Sequence, residues 1–341
     1  MNRLILVTGA TGYIGTVLVP KIAALYPVRT FDTQHFGNAI ADVPNVEHVV
    51  GDIRDTAAVS RAVEGVTDVV HLSGIVTDGL VDQNVRFGHA VNVGGTINIA
   101  RAAVDKGVRR FIYASSSSVY GLAAESGEPD ETVTPKPKTE YAEQKLLGEQ
   151  SAFAICQNDL ICTAVRSATA CGPAPRMRLD TVVNVFSKQA WFDGKVSIHG
   201  GMQYRSNIHV QDVTDLYVLL LDAPGAKIGG EVWNATAENM RVRGIGFLAA
   251  KVLLEEFGRQ AEVEFVPVED ERSYRLNASK VRRVLGWEPE RWIREAFVDN
   301  YRFFEQGGIE KPNADIFYND RRMASVVSQE GHDAGSVRAS T

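Results

Sequence analysis

The feature that most constrains the fold is the glycine-rich stretch "TGATGYIG", residues 8–15, which follows the apolar run "RLILV". A helical pattern over 12–25 comes next, so the glycines lie between a predicted strand and a predicted helix, the arrangement of a dinucleotide-binding turn. Gly9 permits the tight turn, Gly12 lets a pyrophosphate approach the backbone, and Gly15 lets the helix pack against the sheet. We therefore predict that phosphates bind at the N-terminus of this helix.

Strand-like and helical patterns alternate through the first 166 residues. The strand-like runs are "RLILVTG", "VRTFD", "VEHVVGD", "TDVVHLSG", "RRFIYAS" and "LICTAVRS", and the helical patterns cover 12–25, 56–65, 84–106 and 141–156. The runs are apolar on both faces, as expected for buried parallel strands. This alternation predicts an α/β protein with a Rossmann-type doubly wound parallel sheet and a smaller C-terminal substrate lobe.

The same patterns predict the domain organisation. We expect a dinucleotide-binding domain over 1–166, with residues of about 205–222 returning to it, and a smaller lobe mainly over 167–308. Residues 309–341 are polar and show no regular period, which is typical of a mobile tail.

Composition excludes several classes of protein. Of 341 residues, 45% are hydrophobic and 23% are charged, and the net charge of -6 gives no reason to expect nucleic acid or a membrane surface as partner. No apolar run reaches the roughly 18 residues of a membrane helix. The three cysteines have no metal-ligand spacing, so we expect reduced thiols, a cytoplasmic location and no metal.

The second strand ends at Asp32, seventeen positions after Gly15. A carboxylate there can accept hydrogen bonds from both ribose hydroxyls and repels a 2′-phosphate, which favours NAD over NADP. Arg29 precedes the strand end and is not expected to bind phosphate.

Tyr141 and Lys145 stand four residues apart on a predicted helix and therefore on one face. A phenol has a pKa of about 10, and a neighbouring ammonium group lowers it. Tyr141 could then take a proton from a substrate hydroxyl while a hydride leaves to a nicotinamide. Such a pair also occurs by chance on solvated helix faces. It indicates catalysis here because it follows a predicted NAD site and a serine-rich strand end in the sequence.

Nine motifs together resemble one family: "TGATGYIG", "GDIRD", "HLSG", "VNVGGT", "SSSSVYG", "YAEQK", "GP", "YRSNIHVQDV" and "SKVRRVLGWEP". Over about residues 3–300 the chain resembles the extended short-chain dehydrogenase/reductases, and within them the NAD-dependent sugar-nucleotide epimerase/dehydratase family. The resemblance implies bound NAD and a Ser/Tyr/Lys catalytic trio. The implied cofactor contacts are Gly9, Thr11, Gly12, Tyr13, Ile14, Gly15, Asp32, Asp52, Ile53, Leu72, Ser73, Gly74, Asn92, Tyr141 and Lys145.

The family's catalytic hydroxyl stands four positions before the tyrosine of "VYG", which identifies Ser116 here. In sequences that resemble the family's 4,6-dehydratases the next two positions hold Asp-Glu, because elimination of water needs an acid and a base. This chain has Ser117 and Ser118 there, and "ASSSSVYG" instead resembles the 4-epimerases of UDP-galactose and UDP-glucuronate type. The resemblance therefore implies epimerisation at C4 through a transient 4-keto sugar, with Ser117 a candidate contact of the sugar.

Candidate contacts of a nucleotide-diphosphate sugar, of UDP or GDP type, follow from the same resemblance. They are Ser117, Thr169, Arg176, Arg178, Asn184, Arg205 and Arg272. For Arg176 and Arg178 a solvated surface role is an equal alternative.

Other readings of the chain stay open at this point. The same trio would serve an NDP-sugar 4-dehydrogenase or ketoreductase with net redox. A dehydrogenase of a small alcohol or amino acid is a further alternative, and so is a catalytically idle NAD-sensing or scaffold protein, against which the intact trio argues. The predicted helices over 84–106 and 141–157 resemble the pair that forms the dimer interface of this family, which implies a homodimer.

Overall fold

The apolar runs form one parallel sheet in the computed structural model, which describes residues 3–157, 160–267 and 273–327. The strands are β1 (Ile5–Thr8), β2 (Val28–Asp32), β3 (Val46–Val50), β4 (Asp68–His71), β5 (Arg110–Ser116), β6 (Ile161–Ser167), β7 (Thr169–Cys171), β8 (Lys195–His199), β9 (Tyr204–His209), β10 (Val232–Ala235), β11 (Glu238–Arg241) and β12 (Glu262–Val266). The main sheet has the order β10-β6-β5-β4-β1-β2-β3 with every pair parallel. The predicted doubly wound α/β class is confirmed, with the topological switch point at β1.

Helices cover both faces of this sheet. They are α1 (Gly15–Ala23), α2 (Thr56–Val63), α3 (Asp78–Gln83), α4 (Val85–His89), α5 (Thr96–Asp105), α6 (Leu122–Ser126), α7 (Glu140–Cys156), α8 (Val182–Lys188), α9 (Val210–Asp222), α10 (Gly225–Ile228), α11 (Val242–Phe257), α12 (Ser279–Leu285) and α13 (Ile293–Glu305). On one face α1 and α9 pack through Leu18 and Leu216, and on the other α2 and α5 pack through Val59 and Ile99. Because both faces are covered, β1 and β4 are buried along their whole length.

The seventh strand, β10, comes from the part of the chain that the sequence pattern assigns mainly to the small lobe. It pairs with β6, and its Trp233 is fully buried with the indole N–H donating to Thr163 Oγ1 at 2.8 Å. Within the predicted returning segment, β9 joins β7 and β11 in a separate three-stranded sheet, while α9 packs against α1. The small lobe surrounds a second core that includes Phe186, Ile245 and Phe297.

The helix predicted over 84–106 is present as one unbroken helical run from Val85 to Asp105, but part of it is not α-helical. Asn84 has φ -146° and ψ 72°, which separates α3 from α4, and its side chain caps α4 by accepting from Phe87 N at 3.1 Å. Residues Ala90–Gly95 then form a π-helical segment before α5 begins. At Gly95 an added Cβ would lie 2.4 Å from Ile53 Cδ1, so the helix and the neighbouring loop approach closely at this segment.

Residues 309–327, within the span that composition predicts to be a mobile tail, pack on both lobes, with Ile309 in the core of the small lobe and residues 323–327 on the dinucleotide-binding domain. Residues 319–327 are helical, and Asn319, Met323 and Val326 are buried at a spacing of four and three. Met323 and Val326 belong to the core that contains α2 and α5. The apolar residues of one helix face are thus covered although the segment as a whole is polar; the remainder of the predicted tail, 328–341, lies outside the described residues.

One buried carboxylate ties together the edge of the sheet where β1, β4 and β5 begin. Asp68, at the start of β4, is fully buried and accepts from Arg3 Nε at 3.0 Å and from Arg109 Nη2 at 2.9 Å. Burial acts to raise the pKa of this carboxyl, but hydrogen bonds from Arg3, Arg109 and Thr67 outweigh it and the pKa lies below its usual value.

We expect Asp68→Asn to lower the free energy of unfolding by about 3 kcal/mol, because it removes the anionic member of a buried ion cluster. Since the folded pKa is lowered, the stabilisation is fully present above the usual pKa of an aspartate and is lost as the pH falls through the folded value. Urea unfolding of both proteins at pH 7 and at acid pH measures this, and the difference should shrink in acid. Glu47→Gln is the control, since Glu47 pairs with Arg29 at the surface and is 57% exposed; a loss as large as that of Asp68→Asn would contradict the argument.

Candidate active site

The glycine turn between β1 and α1 matches the predicted phosphate-binding geometry. Gly9 has φ +68°, and an added Cβ there would lie 2.6 Å from Ser73 N. At Gly15 it would lie 2.4 Å from Ala10 O, whereas at Gly12 its only near neighbour is Gly9 O at 3.1 Å. Two of the glycines are therefore required by the fold, and the third leaves the turn open to a ligand. The helix starts at Gly15, later than the predicted 12, and no side chain caps it.

Asp32 is fixed beside this turn. Its Oδ2 accepts from Thr11 N at 3.1 Å and its Oδ1 accepts from Gln34 N at 2.6 Å. The carboxylate is only partly buried and faces the cleft described next. It therefore lies in a fixed orientation at the end of β2, where a ribose is bound in dinucleotide-binding domains.

A cleft of about 760 Å³ runs along the carboxyl ends of the strands and on between the two lobes. It brings together most residues of the predicted cofactor site and most of the predicted substrate site. The predicted residues that line it are Gly9, Thr11, Gly12, Tyr13, Ile14, Gly15, Asp32, Asp52, Ile53, Leu72, Ser73, Gly74, Ser116, Ser117, Tyr141, Lys145, Thr169, Arg176, Arg178 and Arg205. Arg272 lies outside the described residues.

Two amide residues predicted to contact ligands do not line the cleft. Asn92 is buried behind it, where its side chain accepts from Ile75 N at 2.8 Å and donates to Gln144 Oε1 at 3.1 Å. Asn184 is fully buried, accepts from Gly172 N at 3.0 Å and donates to Tyr13 Oη at 3.1 Å. Both hold loops of the cleft in place, and their contacts with a ligand stay predictions.

The three predicted catalytic residues converge at the end of β5. Ser116 Oγ accepts from Ser118 Oγ at 2.9 Å and from Ser118 N at 3.2 Å. Burial raises the pKa of the Tyr141 phenol, while its hydrogen bond with Ser116 and the charge of Arg178 act in the opposite direction. The pKa of Tyr141 is thus raised, contrary to the expectation that the neighbouring Lys145 ammonium lowers it.

Lys145 is the buried cation of the site, with only 4% of its surface exposed. Burial lowers its pKa to about 8, and the charge of Glu149 acts in the opposite direction. The ammonium lies 4.4 Å from the ring centroid of Tyr113, whose hydroxyl donates to the Lys145 backbone carbonyl at 3.3 Å. The ring of Tyr113 therefore stabilises the charged form of the lysine.

A buried chain of polar side chains continues from Glu149 to the edge of the sheet. Arg166 donates to both carboxylate oxygens of Glu149, at 3.0 and 2.5 Å, and to Tyr120 Oη at 2.9 Å. Tyr120 in turn donates to Asn234 Oδ1 on β10 at 2.9 Å. Sequence reasoning missed these residues and Tyr113, although Glu149 follows Lys145 by four positions on one helix and this spacing was a usable signal.

The substrate half of the cleft carries further arginines. Arg178 pairs with Asp180 at 2.5 Å, and the guanidinium carbon of Arg205 lies 5.5 Å from the ring centroid of Tyr274. Arg176, predicted to bind the sugar nucleotide, lies instead against Thr16 and Phe36 on the cofactor half.

Two further properties concern only the part of the chain that the structure describes. There, no group of three or more histidine, cysteine, aspartate or glutamate residues has the geometry to hold a metal ion. Across the same residues, each helix is too short or too polar to cross a membrane.

Known proteins resemble this chain over nearly all of its length. A model of the NAD dependent epimerase/dehydratase family matches residues 5–236. The UDP-glucose 4-epimerase of Mycolicibacterium smegmatis is 30% identical over 314 residues, which are 88% of this chain and 97% of the relative. The structure of MoeE5 in complex with UDP-glucuronic acid and NAD is 26% identical with a TM-score of 0.78, covering 89% of this chain and 99% of that one. The UDP-glucose 4-epimerase of Thermotoga maritima with UDP-glucose shares the fold, with a TM-score of 0.80 at 23% identity over 90% of this chain and 100% of that one.

We expect Tyr113→Leu to lower the pKa of Lys145 by about one unit, because a desolvated cation–π contact contributes about 1–2 kcal/mol to the charged form. NMR titration of the Lys145 side chain in selectively labelled protein measures this directly. Tyr113→Phe is the matched control, since it keeps the ring and removes only the hydroxyl. Equal shifts in both variants would show that the hydroxyl, rather than the ring, stabilises the ammonium.

Proposed function

This chain belongs to the NAD dependent epimerase/dehydratase family, and on that premise we propose that it inverts C4 of a nucleotide-diphosphate sugar through a transient 4-keto intermediate. The observation that carries the proposal is the convergence of Ser116, Tyr141 and Lys145 on one cleft, with serines at 117 and 118. A uridine diphosphate sugar is the first substrate class to test, because the relatives named above are UDP-glucose 4-epimerases or bind UDP-sugars.

The residues of the cleft fit NAD. The turn at Gly12 is open to a pyrophosphate, and the uncapped N-terminus of α1 leaves its dipole available to an anion. Asp32, held by Thr11 N and Gln34 N, is placed for the ribose hydroxyls. When bound, oxidised nicotinamide accepts a hydride and gives it back.

In the proposed mechanism Tyr141 is the base for the proton of the sugar 4-hydroxyl. The hydrogen bond with Ser116 and the charge of Arg178 favour the phenolate, whereas burial opposes it, so the phenol becomes a competent base once further positive charge is bound nearby. Ser116 hydrogen-bonds the same oxygen and orients it toward Tyr141. After the 4-keto sugar has rotated in the cleft and presents its other face, Tyr141 returns the proton to the oxygen at C4.

The two serines after Ser116 support epimerisation over dehydration. Elimination of water needs an acid for the leaving hydroxyl and a base for the C5 proton. Ser117 and Ser118 carry no carboxylate, and the Ser118 hydroxyl already donates to Ser116 Oγ at 2.9 Å. Neither position therefore supplies the second acid–base pair.

The decisive experiment uses UDP-glucose deuterated at C4, followed by NMR of the products. We expect the 4-epimer to form with its deuterium retained at C4 and without accumulation of reduced nicotinamide, because the same hydride leaves and returns. Deuterium appearing in free NADH, together with a stable keto product, would instead identify a 4-dehydrogenase. UDP-glucuronate and the GDP-, dTDP- and CDP-sugars are run in parallel to define the sugar and the base.

Tyr141→Phe is the negative control for this experiment, and we expect it to lower kcat by about 10²–10⁴-fold. Tyr301→Phe is the matched control for loss of a buried phenolic hydroxyl, since Tyr301 Oη bonds only Ala249 O in the small lobe at 2.9 Å. Retained turnover in Tyr141→Phe would overturn the assignment of the base.

The homodimer is also part of the proposal. Leu147 on α7 and Val85 at the start of α4 are exposed apolar residues on the helices implicated in pairing. We expect light scattering to give about twice the chain mass of 37.2 kDa, and Leu147→Glu to give a monomer, because an ionised side chain in an apolar interface is not solvated. Leu25→Glu, at an exposed leucine after α1, should leave the dimer intact. A wild-type protein that is monomeric at micromolar concentration would contradict the proposed homodimer.

A further inference from the structure

Within the described part of the chain, Arg176 is a buried cation without a carboxylate partner. Its side chain lies on the loop after β7, the residue is 5% exposed, and burial lowers its pKa to about 10. Among the described residues, no aspartate or glutamate oxygen lies within 4.0 Å of its guanidinium nitrogens, and its Nε has no hydrogen-bond partner. A buried guanidinium with a donor left over is stabilised by an anion from outside the protein.

The guanidinium of Arg176 lies on the cofactor side of the cleft. Its central carbon is 3.8 Å from the ring centroid of Phe36, and the Arg176 backbone N–H donates to Thr16 Oγ1 at 3.4 Å. Thr16 is in the first turn of α1, and Phe36 follows Asp32 by four positions. The cation is therefore placed between the phosphate-binding helix and the strand end that faces the ribose.

Residues 315–327, which we call the clasp, hold Arg176 in this position. Asn319 Oδ1 accepts a hydrogen bond from Arg176 Nη2, and Asn319 N donates to Asp180 Oδ2 at 2.8 Å. Further along, Arg322 Nε donates to His35 O at 2.6 Å. The clasp thus joins the loop of the small lobe to the loop after β2 of the dinucleotide-binding domain.

The clasp also forms part of the wall of the cleft. Asn319, Asp320 and Met323 line it, and Asn319 is only 7% exposed. Met323 and Val326 anchor the clasp in the core of the dinucleotide-binding domain. A ligand on this side of the cleft is covered by the clasp and faces the guanidinium of Arg176.

We propose that Arg176 binds the pyrophosphate of NAD, the anionic part of that molecule, and that the clasp, through Asn319, holds the guanidinium in place and slows the release of NAD. The proposal depends on the NAD site and not on the reaction at C4, so it can be tested without any sugar.

The test measures the Kd of NAD by calorimetry on protein freed of nucleotide. We expect Arg176→Gln to weaken NAD binding by about 10- to 100-fold, the effect of losing a hydrogen bond to a charged group. Salt should weaken NAD binding to the wild type more steeply than to Arg176→Gln, because one charge contact is missing in the variant. Arg176→Lys, which keeps the charge, should restore part of the affinity and of the salt dependence.

Asn319→Ala tests the clasp separately. We expect faster release of NADH in stopped-flow fluorescence, with a smaller loss of affinity than in Arg176→Gln. Ser325→Ala is the matched control, since Ser325 lies exposed on the same helix and bonds only Arg322 O at 2.7 Å.

Two outcomes overturn the proposal. One is an unchanged Kd of NAD in Arg176→Gln together with weakened binding of UDP, which would assign the arginine to the sugar nucleotide. The other is an NADH release rate in Asn319→Ala equal to that in Ser325→Ala, which would make the clasp a structural element only. If Arg176→Gln does not fold, the rate of NADH release from Asn319→Ala, compared with that from Ser325→Ala, decides whether the proposal holds. Failure of the isotope experiment above leaves all of these measurements valid.

Discussion

The charge of Lys145 in the protein interior is the condition on which the site depends. A buried ammonium loses its hydration and is tolerated only where other groups compensate. Here the ring of Tyr113 on β5 and the carboxylate of Glu149 supply that compensation, and Arg166 on β6 in turn satisfies the carboxylate. The chain of contacts reaches Asn234 on β10 through Tyr120, so three neighbouring strands cooperate to hold one proton on one nitrogen.

Local sequence patterns were sufficient for most strands of the dinucleotide-binding half of the fold and for the pair Tyr141 and Lys145, whereas Ser116 was predicted from the family resemblance. The glycine turn, Asp32, and the pair Tyr141 and Lys145 are defined by spacing within one or two elements, and the structure places them on one cleft. The strand β10 was not predicted, because "VWNA" is only four residues long and buried on both faces. Such a segment is too short to show the alternation of apolar and polar residues that identifies a strand.

Other features depended on tertiary contacts that composition does not report. Asn92 and Asn184 are residue types suited to binding ligands, but their hydrogen bonds go to loops of the protein itself. The packing of the clasp was not predicted because residues 309–341 are polar on average. Asn319, Met323 and Val326 nevertheless recur at helical spacing and mark the buried face. A count of polar residues over 309–341 missed this stripe, whereas a periodicity analysis of a shorter window would have detected it.

The phenol of Tyr13 connects the glycine turn to the small lobe. Tyr13, within the turn, donates to Gly172 O at 2.5 Å and accepts from Asn184, while Asn300 Nδ2 on α13 donates to Asn184 Oδ1 at 3.0 Å. The loop of the small lobe after β7 and the glycine turn are therefore joined by direct hydrogen bonds. Any displacement of this loop of the small lobe would therefore be transmitted by Tyr13 to the backbone of the glycine turn.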